Sequence, residues 1–112
     1  MSSRIQTTSG GSKTGAVTVV TKSNGYTVQP SDLGTFFNLD TSSTTFALVL
    51  PPATAGFWIR FADSTGYFSN NPMTLEPATG SVLIEGVAGG RPFQTAWGGW
   101  LVYSDGTSWF VE

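Results

Sequence analysis

Six carboxylates, Asp32, Asp40, Asp63, Glu76, Glu85 and Asp105, are the first candidates for chemistry in this chain, because two acids at a suitable separation suffice to cleave a glycosidic bond. Their surroundings point elsewhere. Asp32, Asp40, Asp63 and Asp105 stand close to Gly or Ser in turn-like stretches, where aspartate is common because it accepts hydrogen bonds from nearby amides. Glu76 and Glu85 end short apolar runs. The chain has no histidine and no cysteine, so a serine nucleophile would need Lys13 or Lys22 as its base, and disulfides and thiolate metal sites are excluded. Asp63 with Asn70 and Asn71 offers the oxygen ligands calcium takes, at a spacing that matches no calcium loop. Gly10-Gly11-Ser12-Lys13-Thr14 has part of a phosphate-loop pattern. Ser12 replaces the glycine before the lysine, however, and a strand rather than a helix follows, so the oriented amides and helix N-terminus are missing. The reading is of a non-enzyme with no catalytic, cofactor-binding or metal-ligating residues.

Aromatic rings are the other chemically capable group. Trp58, Tyr67, Trp97 and Trp100 are possible platforms for sugar faces, although rings in small β domains are more often core. Trp97, in the run Trp97-Gly-Gly-Trp100, is the best exception.

The elements that must position these residues are short strands. At 112 residues the chain is about one domain and buries roughly 65% of its unfolded surface, so its core is modest and assembly offers it further burial. Its formal charge is −2, and the five basic residues, Arg4, Lys13, Lys22, Arg60 and Arg91, are scattered, which argues against a nucleic-acid backbone as partner. The longest apolar run, Phe46 to Leu50, is far too short to cross a bilayer, and no signal-peptide core follows Met1. Residues 1–15 are rich in Ser, Thr and Gly, with Ile5 the one large aliphatic, and read as an extended N-terminal arm. Such an arm either frays or adds a strand to a neighbour's sheet edge.

From Ala16 the expectation is an all-β domain over 16–112, a small antiparallel β-sandwich or barrel. Val17 to Lys22 and Tyr26 to Val28 flank Asn24-Gly25 and predict a hairpin with Val17, Val19, Tyr26 and Val28 inward. Alternation then buries Phe37 and Leu39, Phe46, Leu48 and Leu50, and Phe57, Ile59 and Phe61. Short strands are expected at Met73 to Leu75 and Ser81 to Glu85, with Gly86 to Arg91 irregular. The last hairpin turns at Asp105-Gly106 and pairs Tyr103 with Ser108, Val102 with Trp109, Leu101 with Phe110 and Trp100 with Val111. Both its faces are apolar. With Trp100, Val102, Trp109 and Val111 inward, Leu101, Phe110 and part of Tyr103 need a cover worth roughly 1.5–3 kcal/mol per fully buried side chain. That cover is an internal second layer of the same sandwich, the preferred reading, or a subunit or capsid interface.

Several stretches are familiar as a series: Tyr26-Thr-Val-Gln-Pro-Ser-Asp-Leu-Gly-Thr-Phe-Phe-Asn-Leu39, Phe46-Ala-Leu-Val-Leu-Pro-Pro52, Ala55-Gly-Phe-Trp-Ile-Arg-Phe-Ala-Asp63, Asn71-Pro-Met-Thr-Leu75, Ile84-Glu-Gly86 and Leu101-Val-Tyr-Ser-Asp-Gly-Thr-Ser-Trp109. Over most of Tyr26 to Glu112 the chain resembles a β module of tailed-bacteriophage virion proteins. The resemblance implies a trimerising or docking domain of fibre, appendage or head-surface proteins, without catalytic residues to carry over. A chain running from Met1 to three residues past Trp109, without shaft or receptor-binding head, fits a small accessory present in many copies.

The expectation is therefore a capsid decoration (cement) protein, made in the host cytoplasm and carried on the outer surface of the virion. It would be a homotrimer on the major capsid protein lattice, its arm reaching across a neighbouring subunit, with no nucleic-acid or membrane partner. A short tail, collar or fibre-attachment protein is the alternative, and a host-glycan-binding adsorption module the second alternative. The interface residues expected are Ile5, Trp58, Trp97, Leu101, Tyr103 and Phe110.

Overall fold

The computed structural model describes residues 16–112. Strands β1 (Val19–Lys22), β3 (Phe36–Leu39), β5 (Trp58–Asp63), β8 (Gly99–Ser104) and β9 (Trp109–Val111) form a five-stranded sheet in the order β1-β3-β5-β8-β9. Strands β2 (Tyr26–Thr27), β4 (Phe46–Val49), β6 (Met73–Glu76) and β7 (Arg91–Phe93) form a four-stranded sheet in the order β2-β4-β6-β7. The chain is thus an all-β, two-sheet sandwich.

Up to β6 the chain alternates between sheets, so that β1-β2, β3-β4 and β5-β6 stack as three successive coils and neighbouring strands in each sheet run parallel. The three remaining pairings, β5 with β8, β6 with β7 and β8 with β9, are antiparallel and close the far end of the stack. The pairing is therefore mixed, where alternation alone suggested antiparallel strands throughout. The expected hairpin at Asn24-Gly25 is absent. A two-residue type I′ turn needs φ > 0 at both central residues, and neither Asn24 nor Gly25 has it, so the chain turns the corner into the other sheet.

Parallel register with β3 then sets which side of β1 faces in. Val20 lies beside Phe37 and Lys22 beside Leu39, leaving Val17 and Val19 more than half exposed, opposite to the expected orientation. Lys22 is tolerated on the inward side because it stands at the sheet margin, where its ammonium rests 3.9 Å above the Tyr26 ring.

Between the sheets, Phe37, Leu39, Ile59, Phe61 and Val102 meet Leu48, Met73, Leu75 and Phe93 in one buried cluster. At its closed end Trp100 packs against Phe61, Phe68 and Phe93, with ring centroids 5.3, 6.1 and 4.8 Å away. The expected strand over Ser81 to Glu85 is not formed. The segment is held instead by isolated bridges from Ile84 to Val87 and Trp109, and Glu85 adopts φ 51°, which no strand accepts. The last hairpin forms, but it pairs Val102 with Val111, Tyr103 with Phe110 and Ser104 with Trp109 around a four-residue loop. Asp105 closes that loop by accepting from the amides of Thr107 and Ser108, both at 2.9 Å. The register differs by two residues from the expected one, which preserves the inward set.

Candidate functional site

Side chains on the outer side of the five-stranded sheet follow from the register. One row across it is Val19, Phe36, Arg60 and Leu101, extended to Glu112, which exchanges two 2.8 Å backbone hydrogen bonds with Leu101. The next is Trp58, Tyr103 and Phe110. The four-stranded sheet covers the opposite side, and no described strand lies over this one. The expected internal second layer is therefore not found among the described residues. Strand alternation with a single partner sheet leaves the side chains between the inward ones on the outside.

These outer residues cover one another in part. The Tyr103 and Phe110 rings stack with centroids 5.5 Å apart, and the Tyr103 hydroxyl donates to Glu112 Oε2 at 3.2 Å. Desolvation pushes the Tyr103 phenol above its ordinary value, and Glu112, Glu85 and Asp105 push it the same way, so it remains a neutral donor around pH 7. Trp58 lies over Gly34, where an added Cβ would meet its ring at 3.4 Å, and the Gly34 amide donates to the Trp58 carbonyl at 2.8 Å. Between Trp58, Arg60, Leu101, Tyr103 and the Gly56 and Ser104 backbone lies a shallow open groove of about 370 Å³. Apolar walls around one exposed guanidinium suit it to protein contact.

A second cluster forms around Asp63. The carboxylate is 3% exposed and accepts five backbone amides: Thr65, Gly66 and Tyr67 on Oδ1 at 3.2, 2.9 and 3.3 Å, and Phe68 and Trp97 on Oδ2 at 3.1 and 2.9 Å. Burial alone would raise its pKa. The amides of Trp97, Phe68, Thr65 and Gly66 outweigh that and hold it below the ordinary carboxylate range. Donors directed at both oxygens exclude the calcium role, and Asn71 instead donates to the Thr41 carbonyl at 2.8 Å. Trp97, pinned by Asp63, has φ 63° and is 69% exposed. Its indole lies on Gly66, where a Cβ would come within 2.6 Å of the ring and φ is 78°.

Other carboxylates are engaged locally as well. Asp32 accepts from the Gln29 amide and the Tyr26 hydroxyl, Asp40 from the Ser42 amide, and Glu85 from Arg91 and the Val111 amide. Among the described residues no group of three or more His, Cys, Asp or Glu is arranged to hold a metal ion.

Of the expected interface residues, Trp58, Leu101, Tyr103 and Phe110 come together on the outer face, Trp97 sits apart on the loop before β8, and Ile5 lies outside the described residues. The suggested sugar-binding rings divide. Trp100 is in the core packing, Trp58 on the opposite side of the same sheet, and Tyr67 and Trp97 belong to the Asp63 loops. Val19, Phe36 and Arg60 are additions that only the cross-strand register brings in. Fold and surface together define a two-sheet β module with one partly exposed apolar face over which no strand of the described residues lies. Comparison with protein-family models and with curated proteins finds no match.

Proposed function

We propose that this chain is a structural protein of a bacteriophage virion, a capsid decoration protein that assembles as a homotrimer and docks on the major capsid protein lattice of the head. The observation that carries the reading is the outer face of the five-stranded sheet, where the partly buried Phe36, Trp58, Leu101, Tyr103 and Phe110 form an apolar surface with no strand of the described residues over it. The ordered series of motifs from Tyr26 to Trp109 supplies the phage context. Many-copy seating lets modest contacts add, because each later contact of an oligomer is effectively intramolecular. Counting the chain in purified particles tests this. Hundreds of copies per particle are expected, whereas about a dozen or fewer would favour a tail, collar or fibre-attachment role.

Adsorption to a host glycan is a second reading, favoured by one observation: Trp97 is an exposed ring on a backbone in the left-handed region, held by a buried carboxylate. Strain of this kind costs about 1–3 kcal/mol and gathers at binding sites. Under this reading Trp97→Ala abolishes binding to a glycan array and leaves the melting temperature within about 4 °C. An array on which the unaltered protein gives no signal removes the reading.

A further inference from the structure

Charge on the outer face follows a pattern that a neighbouring copy of the same chain would match. Arg60 is exposed on β5 and makes no ion pair among the described residues, where the single ion pair is Arg91 with Glu85. Glu112 occupies the same row two strands away, with Leu101 between them. Two strand spacings put the backbones of Arg60 and Glu112 about 10 Å apart, with Leu101 filling the interval. Glu112 turns its carboxylate to the Tyr103 hydroxyl. The row therefore reads cation, apolar, anion across one face, and the anion stands at the β9 edge, where a neighbour can approach.

We propose that the outer face of the five-stranded sheet is covered by another copy of this chain, with Glu112 at the β9 edge of one copy pairing with Arg60 on β5 of the next. Leu101, Trp58, Tyr103 and Phe110 form the apolar contact beside that pair. Burying the pair at the margin of an apolar contact fixes which copy meets which face, the role in which interfacial charge is most effective. The inference rests on reading this face as a docking surface, and it assigns that surface to self-association rather than to the capsid lattice. Contact with the lattice is then left to the rest of the assembled oligomer.

The test needs only the purified chain. Analytical ultracentrifugation from about 1 μM to about 1 mM is expected to show an oligomer whose dissociation constant rises about tenfold or more in Arg60→Glu, and likewise in Glu112→Arg. The double variant Arg60→Glu/Glu112→Arg restores the pairing with its charges exchanged and is expected to return to within about threefold of the unaltered chain. Circular dichroism of each variant monitors folding; exchange rescue in the double variant separates loss of pairing from loss of fold. A chain that stays monomeric throughout, an Arg60→Glu variant that associates normally, or a double variant no better than either single one would each overturn the inference. Particle binding by a chain that fails these tests would leave the virion reading standing. Self-association through this row in a chain absent from virions would do the reverse.

Discussion

Asp63→Asn is expected to lower the stability of the fold by about 3 kcal/mol or more, because two charge-assisted hydrogen bonds alone are worth roughly that much and the buried carboxylate accepts five. Asparagine keeps the shape and one acceptor oxygen. Its NH2 group then faces amides that already donate, so the loops at Thr65–Phe68 and at Trp97 lose their shared anchor together. For a domain of this size the loss corresponds to a fall in melting temperature of roughly 12–24 °C, read by circular dichroism. The pH dependence has a definite sign. A carboxyl whose pKa is depressed on folding contributes fully above its ordinary value of 3.8, and that contribution disappears as pH falls through the lower value in the folded state. Asp40, lowered mainly by Ser42, and Asp105, lowered mainly by the Ser108 amide, act in the same direction. The difference between the unaltered chain and Asp63→Asn isolates the buried group: the gap should be constant near neutral pH and narrow in acid. A variant within about 1 kcal/mol of the original at pH 7 would remove Asp63 as the anchor.

Phe61→Ala is the other change with a large expected effect, about 3–5 kcal/mol. Phe61 is fully buried on β5, with its ring 5.0 Å from Phe93 of the four-stranded sheet and 5.3 Å from Trp100 of its own. Truncation opens a cavity where the two sheets are held together at the closed end. Leu101→Ala, one strand away and on the outer side, is expected to cost the isolated chain about 1–2 kcal/mol, less than Phe61→Ala, because its side chain is only partly buried. Urea unfolding of both variants compares the two sides of one sheet. Equal losses would mean that the outer face is as much a part of the folding core as the inner one.

Alternation made much of this architecture legible. Phe37 and Leu39, Leu48 and Leu50, and Phe57, Ile59 and Phe61 are buried as their period-two spacing requires. Even the last hairpin, displaced by two residues, keeps Val102, Trp109 and Val111 inside, since a shift of two preserves the face. Pairing partners were less legible. Parallel neighbours such as Phe36 and Arg60 are joined through a whole intervening coil, and nothing local to either strand encodes that match. Asn24-Gly25 carries a strong hairpin signal, yet the corner it occupies is set by where β2 must lie beside β4. β7 hides its strand character behind glycines and Pro92, which the edge of a sheet accepts.

The candidate face divides in the same way. Trp58, Leu101, Tyr103 and Phe110 announce themselves as apolar residues on the wrong side of already satisfied strands. Arg60 and Glu112 become partners in one row only when β5, β8 and β9 are aligned. Trp97 was visible as a ring among glycines, but its left-handed backbone and its bond to Asp63, 34 residues away, are tertiary facts.

Electron cryomicroscopy of intact particles would locate this chain and reveal what meets the outer face of its five-stranded sheet. Many copies are expected on the outside of the head, each with Trp58, Leu101 and Phe110 against neighbouring protein. Particles that lack the chain, or that carry it with this face open to solvent, would contradict this expectation.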